Sequence, residues 1–247
     1  MAQRKERLDA ALARRGLAPT RAKAQALVMA GAVWVDGVRV EKSGASVAPD
    51  AVIEVRDKPH PYVGRGGVKL EAALDSFGVT VEGARCLDIG ASTGGFTHCL
   101  LLRGAAHVTA LDVGKGQLDA SLRRDPRVAA IEGVNARYLD EVEFEEPFDL
   151  VVMDVSFISV RKIVPHIHLV LKEGGSAVVL IKPQFELKKG EVGRGGVVRD
   201  GALHERVLRE ISEFLGEKGF NVRGMLQSPI EGADGNKEFF VHFGGEK

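Results

Sequence analysis

Cysteine is scarce in this chain, and long hydrophobic runs are missing from it. Cys86 and Cys99 are the only cysteines among 247 residues, too few for a disulfide framework or a zinc site. The basic start, MAQRKERLDAALARR, has no apolar stretch of the kind a signal peptide requires. No apolar run approaches the ~18 residues of a membrane span. These absences predict a cytoplasmic protein with no metal and no membrane partner.

Acidic and basic residues are equal in number, but they are unevenly distributed. The chain has 34 of each, yet residues 1–69 hold 13 lysines and arginines against 7 acidic residues. The rest of the chain is therefore acidic by the same margin. A basic end on a neutral protein suggests a polyanion-binding module joined to a different domain.

The N-terminal region has the pattern of a small α+β unit. Two short helical segments end at Gly16 and Gly31, and AVWVDGVRV then alternates around an Asp36-Gly37 turn, which predicts a hairpin. Prolines and glycines after residue 58 mark a change of pattern. We therefore predict a first domain over residues 1–59, a linker over 60–64 and a second domain over 65–247.

The second domain alternates strands with helices. Five apolar segments, typical of strands buried on both faces, are separated by helical stretches. Two further strands near the C-terminus have no helix between them and must pair as a hairpin. The predicted fold is α/β, a Rossmann-like sheet of seven mostly parallel strands with one antiparallel strand.

A glycine-rich loop follows the first strand of this sheet, in the stretch DIGASTGGF. Glycines there let the backbone approach a ligand at a helix N-terminus, and Asp112 ends the next strand, where its carboxylate can accept ribose hydroxyls. This geometry serves dinucleotides as well as S-adenosylmethionine, but the G-x-x-x-G-G spacing and the terminal hairpin favour the latter. The predicted cofactor-binding residues are Asp88, Gly90, Ala91, Ser92, Thr93, Gly94, Gly95, Phe96, Asp112, Asn135 and Asp154.

The stretch RLDAALARRGLAPTRAKAQALVMAGAVWVDGVRV resembles an S4 RNA-binding domain. The resemblance implies binding to structured RNA through shape and phosphate contacts. The hexapeptide VGRGGV occurs twice, at 63–68 and 192–197, with unrelated flanks, so the copies are analogous loops whose arginines could grip phosphates. The predicted RNA-binding residues are Arg4, Lys5, Arg7, Arg14, Arg15, Arg21, Lys23, Lys42, Arg65 and Arg194.

Four residues resemble the K-D-K-E tetrad of FtsJ-like 2′-O-ribose methyltransferases: Lys69, Asp154, Lys182 and Glu238. With the S4-like region in front, the whole chain resembles the TlyA family, whose members are described both as hemolysins and as ribosomal RNA 2′-O-methyltransferases. The resemblance implies a class I methyltransferase that uses S-adenosylmethionine to methylate ribosomal RNA or ribosomal subunits, with cytidines as targets. Lys182 is the candidate base. A nearby Lys69 ammonium and partial burial would both favour loss of its proton.

Two other readings of the sequence stay open. A hemolysin or other membrane-active protein would need an apolar or strongly amphipathic membrane segment, and the most apolar strand, VVMDVSFISV, is interrupted by Asp154. A non-catalytic RNA-binding factor of ribosome assembly would have no need of the tetrad or of the glycine-rich loop. Binding of S-adenosylhomocysteine separates the methyltransferase from the non-catalytic factor.

Overall fold

The computed structural model describes residues 5–29, 31–56, 60–232 and 235–245. The chain divides into two units, Met1–Gly67 and Val68–Lys247. The S4-like region lies in the first unit and the predicted α/β sheet in the second.

The first unit combines two helices with short strands. Strand β2 pairs antiparallel with β3 and with β5, and β1 pairs with β4. Asp36 (φ 50°) and Gly37 (φ 77°) form the turn between β2 and β3, as expected for a two-residue hairpin that needs positive φ at both positions. The elements are β1 Glu6–Arg7, α1 Leu8–Arg14, α2 Arg21–Met29, β2 Val33–Val35, β3 Val38–Arg39, β4 Ser46–Val47 and β5 Ile53–Val55.

The second unit alternates strands and helices as the sequence predicts. Its longest helix, α8, buries Val207, Ile211 and Leu215 on one face and is capped by the Asp200 carboxylate, which accepts from Ala202 N–H at 2.9 Å. The elements, including one helix that begins just before the division, are α3 Gly66–Phe77, β6 Arg85–Ile89, α4 Gly95–Leu102, β7 His107–Asp112, α5 Ala120–Arg123, β8 Val128–Glu132, β9 Phe148–Met153, α6 Ile167–Val170, β10 Leu171–Ile181, α7 Pro183–Glu186, α8 Gly201–Glu217, β11 Phe220–Gln227 and β12 Phe239–Gly245. Short 3-10 helices also lie at Ala136–Glu141, Val160–Lys162, Val164–His166 and Arg194–Gly196.

The seven strands of the second unit form one sheet in the order β11-β12-β10-β9-β6-β7-β8. Neighbouring strands from β10 to β8 are parallel, whereas β12 runs antiparallel to both β10 and β11. The prediction of a seven-stranded, mostly parallel sheet with one antiparallel strand is confirmed. Because the chain leaves β6 for β7 on one side and later places β9 on the other, the strand order reverses at β6. Ligands of open α/β sheets bind at such a point, outside the carboxyl ends of the strands.

Side chains from both faces of the sheet are buried. Phe148, Val151, Met153 and Val179 are fully inaccessible and pack in one cluster with the apolar face of α8. In the first unit a separate cluster joins α1 and α2 to the short strands. No helix within the four described ranges is long and apolar enough to cross a membrane.

Candidate active site

A cavity of about 380 Å³ lies at the carboxyl ends of β6, β7 and β9. Its lining includes Gly90 and Ser92 from the loop after β6, Asp112 from the end of β7, and Asp154 from the loop after β9. Asn135, which follows β8, lies on the same side. Five of the residues predicted to bind a cofactor therefore surround one cavity at the position where the strand order reverses. We call this the first cavity.

Asp112 organises the loops around the first cavity. Its Oδ2 accepts a hydrogen bond from Ser92 N–H at 2.7 Å, and its Oδ1 accepts one from Gly114 N–H at 2.7 Å. Each carboxylate oxygen has a second lone-pair direction for a ligand hydroxyl. Gln117, which the sequence analysis missed, also lines the cavity and contacts Ser92 Oγ at 3.3 Å. It lies in a loop of no regular pattern, so no local signal marks it.

The glycines of the loop are required by the packing of the chain itself. Gly90 has φ 83°, and a Cβ there would collide with the backbone oxygen of Asp154. Gly94 has φ 93°, and a Cβ there would collide with Leu118 and Leu122. Glycine at these positions lets β6 approach β9 closely and lets α4 begin beside α5. The remaining predicted loop residues do not line the cavity: Ala91, Thr93, Gly94, Gly95 and Phe96.

Asp88, on β6, does not line the first cavity either and is completely buried. Its Oδ2 accepts hydrogen bonds from Thr97 N–H at 2.9 Å and from the Thr97 hydroxyl at 2.6 Å. Burial raises the pKa of this carboxyl to about 7, although the Thr97 bonds act in the opposite direction. The position of Asp88 is that of a group that ties β6 to the first turn of α4.

A second cavity, of about 470 Å³, adjoins the first. Its lining includes three residues of the predicted tetrad, Lys69, Lys182 and Glu238, and it shares Ser156 and Phe157 with the first cavity. Asp154, the fourth tetrad residue, lines the first cavity. The tetrad thus lies where the two cavities meet.

The tetrad forms two ion pairs. Lys69 Nζ donates to Glu238 Oε2 at 2.5 Å, and Lys182 Nζ lies 2.5 Å from Asp154 Oδ1. The Lys69, Glu238 and Lys182 side chains are only 8%, 3% and 10% exposed. Each ammonium therefore has a carboxylate of its own beside it.

Ser156 is a contact that the sequence analysis missed. Lys182 Nζ donates a hydrogen bond to Ser156 Oγ at 2.9 Å, in addition to its ion pair with Asp154. Asp154 and Ser156 stand two residues apart in an extended loop, so their side chains reach the same neighbour. Lys182 and Ser156 are 26 positions apart in the chain, so no local pattern in the sequence marks this contact.

Phe157 stands at the edge shared by both cavities with an unusual conformation. Its φ is 64°, in the left-handed region that favours glycine, and the residue is 92% exposed. The ring lies 5.2 Å, centroid to centroid, from that of Phe185 on the loop after β10. A strained backbone that presents an aromatic ring to solvent is a feature of binding sites rather than of cores.

The second VGRGGV copy also reaches the second cavity. Gly195 and Gly196 line it, and Asn236 holds the segment by donating to the Gly196 carbonyl and accepting from Val198 N–H, both at 3.0 Å. Asn236 is buried and lines the cavity too. The side chain of Arg194 lies outside the described part of the structure. The first copy, at 63–68, leads into α3 and thus to Lys69.

In the first unit, arginines converge on a buried carboxylate. Asp9 has no exposed surface, yet it accepts from Arg7 at 2.8 and 3.1 Å, pairs with Arg21 at 3.1 Å, and accepts from Gln25 at 2.8 Å. The Arg7 guanidinium in particular holds the pKa of Asp9 well below its usual range. Arg7 and Arg21 remain about half exposed, so the pairs anchor them and leave surface for a ligand.

The other predicted RNA contacts differ in their surroundings. Arg15 donates to the backbone carbonyls of Ala51 and Pro49, at 2.6 and 2.8 Å, which gives it a structural role. Arg14 is exposed and pairs with Glu6, and Arg65 pairs with Glu41. Arg4 lies outside the described residues, and the three lysines on the exposed surface are Lys5, Lys23 and Lys42.

Comparison with known proteins assigns both units. The model of the FtsJ-like methyltransferase family matches residues 62–245, and that of the S4 domain matches residues 6–53. The chain is 46% identical to "16S/23S rRNA (cytidine-2'-O)-methyltransferase TlyA" of Mycobacterium tuberculosis (strain H37Rv), over 96% of this chain and 89% of that one. It is 44% identical to "Hemolysin A" of Brachyspira hyodysenteriae, over 96% and 99% of the two chains.

A solved structure gives the same assignment. A Streptococcus thermophilus protein named as a candidate hemolysin has 42% identity and a TM-score of 0.75, covering 98% of this chain and 89% of that one. The resemblance drawn from the sequence motifs is thereby confirmed. The chain belongs to the TlyA family, in which an S4 domain precedes an FtsJ-like methyltransferase domain.

Proposed function

We propose that the protein transfers a methyl group from S-adenosylmethionine to the 2′-hydroxyl of a cytidine in ribosomal RNA. The observation that carries this proposal is the junction of the two cavities, where Asp154 of the first contacts Lys182 of the second. A methyl donor in one cavity and a ribose in the other would meet there. The cytidine and the ribosomal RNA come from the name of the tuberculosis relative.

The lining of the first cavity fits S-adenosylmethionine. The Asp112 carboxylate, already oriented by two backbone N–H groups, suits a ribose diol. Asn135 uses its Oδ1 to accept from Arg137 N–H at 3.0 Å, which leaves its amide nitrogen for the adenine edge. When bound, the cofactor supplies a methyl group on a sulfonium, which is already activated toward attack.

The residues of the second cavity would then have to orient a ribose and remove one proton. Lys182 Nζ, after its ammonium form has lost a proton to solvent, is the candidate acceptor of the O2′ proton, with Asp154 and Ser156 fixing its position. Lys69, held by Glu238, would stand on the other side of the hydroxyl as a hydrogen-bond donor. Holding the hydroxyl in line with the methyl group is the larger part of such catalysis.

Substrate binding would involve both units. The S4 domain offers half-exposed arginines for phosphates, and such contacts carry most of the affinity without reading sequence. Phe157, exposed at the mouth of the second cavity, offers a face on which an unstacked base can lie. The proposal places the protein in the cytoplasm with the ribosomal subunits.

The test is methyl transfer from tritiated S-adenosylmethionine to isolated ribosomal subunits and to free ribosomal RNA. A methyl group on O2′ makes the adjoining linkage resistant to alkali, so hydrolysis followed by mapping identifies the nucleotide. We expect alkali-resistant label on a cytidine. Label recovered in mononucleotides after alkaline hydrolysis, which would mean methylation of a base, or no label with any RNA although S-adenosylhomocysteine binds, would contradict the proposal.

A further inference from the structure

Glu186 is a buried carboxylate that the tetrad does not include. It is the last residue of α7, four residues after Lys182, and its side chain is only 1% exposed. Its two oxygens have different partners: Oε2 accepts from the Ser159 hydroxyl at 2.6 Å, and Oε1 accepts from Val160 N–H at 2.9 Å. Both partners belong to the loop after β9, which carries Asp154.

The contacts of Glu186 are the last of a series between two loops. Lys182 contacts Asp154 and Ser156, Phe185 contacts Phe157 at 5.2 Å, and Glu186 then contacts Ser159 and Val160. The loops after β9 and β10 thus run side by side from the ends of neighbouring parallel strands. Of these contacts, that of Glu186 is the farthest from the cavity junction.

A carboxylate at this position is costly to bury. Burial raises the pKa of Glu186 above its ordinary value, and the bonds from Ser159 and Val160 act against that shift. Arg161 offers only a distant ion pair, with Nε 3.7 Å from Oε2, and donates instead to Glu210 at 3.0 Å. A glutamine or an apolar side chain would fill the space without the desolvation cost. The carboxylate, in return, provides two strong hydrogen-bond acceptors on one rigid group.

The two oxygens of Glu186 hold one end of the segment at residues 154–160. Phe157 has a left-handed backbone that a phenylalanine adopts only when its surroundings impose it. The segment from Asp154 to Val160 contains no helix or strand of its own before the 3-10 helix at Val160–Lys162. It is fixed at one end by Asp154 N–H, which donates to the Ile89 carbonyl at 3.0 Å, and at the other by Glu186.

We propose that Glu186 is a positioning residue for methyl transfer: it fixes the loop of Ser156 and Phe157 against the loop of Lys182. The inference rests on the proposed function and names a residue outside the tetrad on which its geometry depends. Without Glu186 each loop stays attached to its strand, but the two loops are no longer held in a fixed position against each other. Residues 154–158 and Ile163 also line the first cavity, so only its other side, formed by residues that follow β6, β7 and β8, keeps its shape.

The experiment compares Glu186→Ala, Glu186→Gln and Glu210→Ala in the full chain. Glu210→Ala is the matched control because it removes a carboxylate whose ion-pair partners, Arg161 and Arg206, lie outside residues 154–160. Hydrogen–deuterium exchange over residues 154–160 is measured without substrate, and cofactor binding and methyl transfer are measured separately. Exchange reports loop order whether or not the protein methylates RNA.

We expect Glu186→Ala to accelerate exchange in residues 154–160 by at least about tenfold and to lower kcat by about 10²-fold. The dissociation constant of S-adenosylhomocysteine should change by a smaller factor than kcat, because Asp112 and Asn135 are held by hydrogen bonds outside residues 154–160. Glu186→Gln can still accept from Val160 N–H through its oxygen and can donate to the Ser159 hydroxyl through its amide nitrogen, so it should restore most of kcat. Glu210→Ala should behave as the wild type in every measurement.

Unchanged exchange in residues 154–160 of Glu186→Ala would overturn the inference. So would equal losses of kcat, cofactor binding and thermal stability, because that pattern describes general destabilisation. If Glu186→Ala does not fold, Ser159→Ala serves instead, since it removes one of the two bonds and leaves the carboxylate in place. Failure of the wild type to methylate RNA would refute the proposed function and leave the exchange result to decide on the loop.

Discussion

Lys69 Nζ lies 2.5 Å from Glu238 Oε2 although 169 positions separate the two residues in the chain. Lys69 stands on α3, at the start of the second unit, and Glu238 just precedes β12, its last strand. The pair joins the two ends of the α/β domain at the second cavity. Because both side chains are almost fully buried, removing either one would leave an uncompensated charge, which is strongly destabilising.

The cofactor site gives the first prediction. Asp112→Ala removes the acceptor for Ser92 and Gly114 N–H and for the proposed ribose diol, so S-adenosylmethionine binding should weaken by about 1.5–3 kcal/mol. Titration calorimetry measures this directly. Asp125→Ala is the control, because Asp125 is paired with Arg127 away from the cavity. Equal dissociation constants for the Asp112 variant and the wild type would place the cofactor elsewhere.

Asp88 gives a prediction on pH and stability. Burial raises its pKa to about 7 in the folded protein, above the value of about 3.9 of an unfolded aspartate. Between these two values the folded state holds a proton that the unfolded state has lost. The contribution of Asp88 to stability is therefore present at low pH and is lost as pH rises toward 7, by at most about 1.4 kcal/mol per pH unit.

The test is urea denaturation of Asp88→Asn and the wild type from pH 5 to pH 8. Asparagine accepts both Thr97 bonds on its one oxygen and does not titrate. The free energy of unfolding of the variant, relative to that of the wild type, should increase with pH up to about pH 7 and then stay constant. A difference that is constant across the whole range would mean that Asp88 is ionised throughout.

Phe157 gives a prediction in which stability and activity separate. Phe157→Gly relieves a left-handed conformation that costs a residue with a side chain roughly 1–2 kcal/mol, so the free energy of unfolding should hold or rise. Methyl transfer should fall, with the loss appearing as weaker RNA binding of about 1–3 kcal/mol for one lost stacking surface. Phe157→Trp, which keeps a stacking face, is the control. Full activity in Phe157→Gly would exclude a role for the ring.

The S4 domain gives a prediction on salt dependence. Arg14→Gln should reduce the slope of log binding constant against log salt by roughly one unit if Arg14 contacts a phosphate. Arg14 suits this test because it is exposed and its partner Glu6 is at the surface, whereas charge reversal at Arg7 or Arg21 would leave the buried Asp9 without its partners. An unchanged slope with weaker affinity would point to a contact other than phosphate.

The central strands β6, β7 and β9 were predictable because they are mostly apolar and buried. Lys182 and Glu238, which line the second cavity, could also be named from their resemblance to the tetrad. What local pattern could not supply are contacts between distant loops. Ser156, Asn236 and Glu186 acquire their partners only when β9, β10 and β12 lie side by side.

The glycine-rich loop also shows that a sequence motif does not distinguish ligand contacts from contacts within the chain. Its sequence predicted a cofactor site, and Gly90 and Ser92 do line the first cavity, yet Gly90 and Gly94 are also needed for chain packing, and Asp88 is completely buried. A pattern of glycines indicates that the backbone lies close to a ligand or to another segment of the chain. Only the folded structure distinguishes the two. Arg15 is a similar case, because its carbonyl partners are 33 or more residues away.

The central claim, that Lys182 takes the O2′ proton, is tested most directly by single-turnover methyl transfer with Lys182→Arg. Arginine keeps the charge beside Asp154 but cannot deprotonate near neutral pH. The rate should fall by about 10²–10⁴-fold, as for loss of a positioned acid–base group. Lys182→Ala should fall by a similar factor, and both variants should bind S-adenosylhomocysteine and RNA as the wild type does. If Lys182→Arg retains most of the rate, Lys182 holds the RNA in place and the proton leaves by another route.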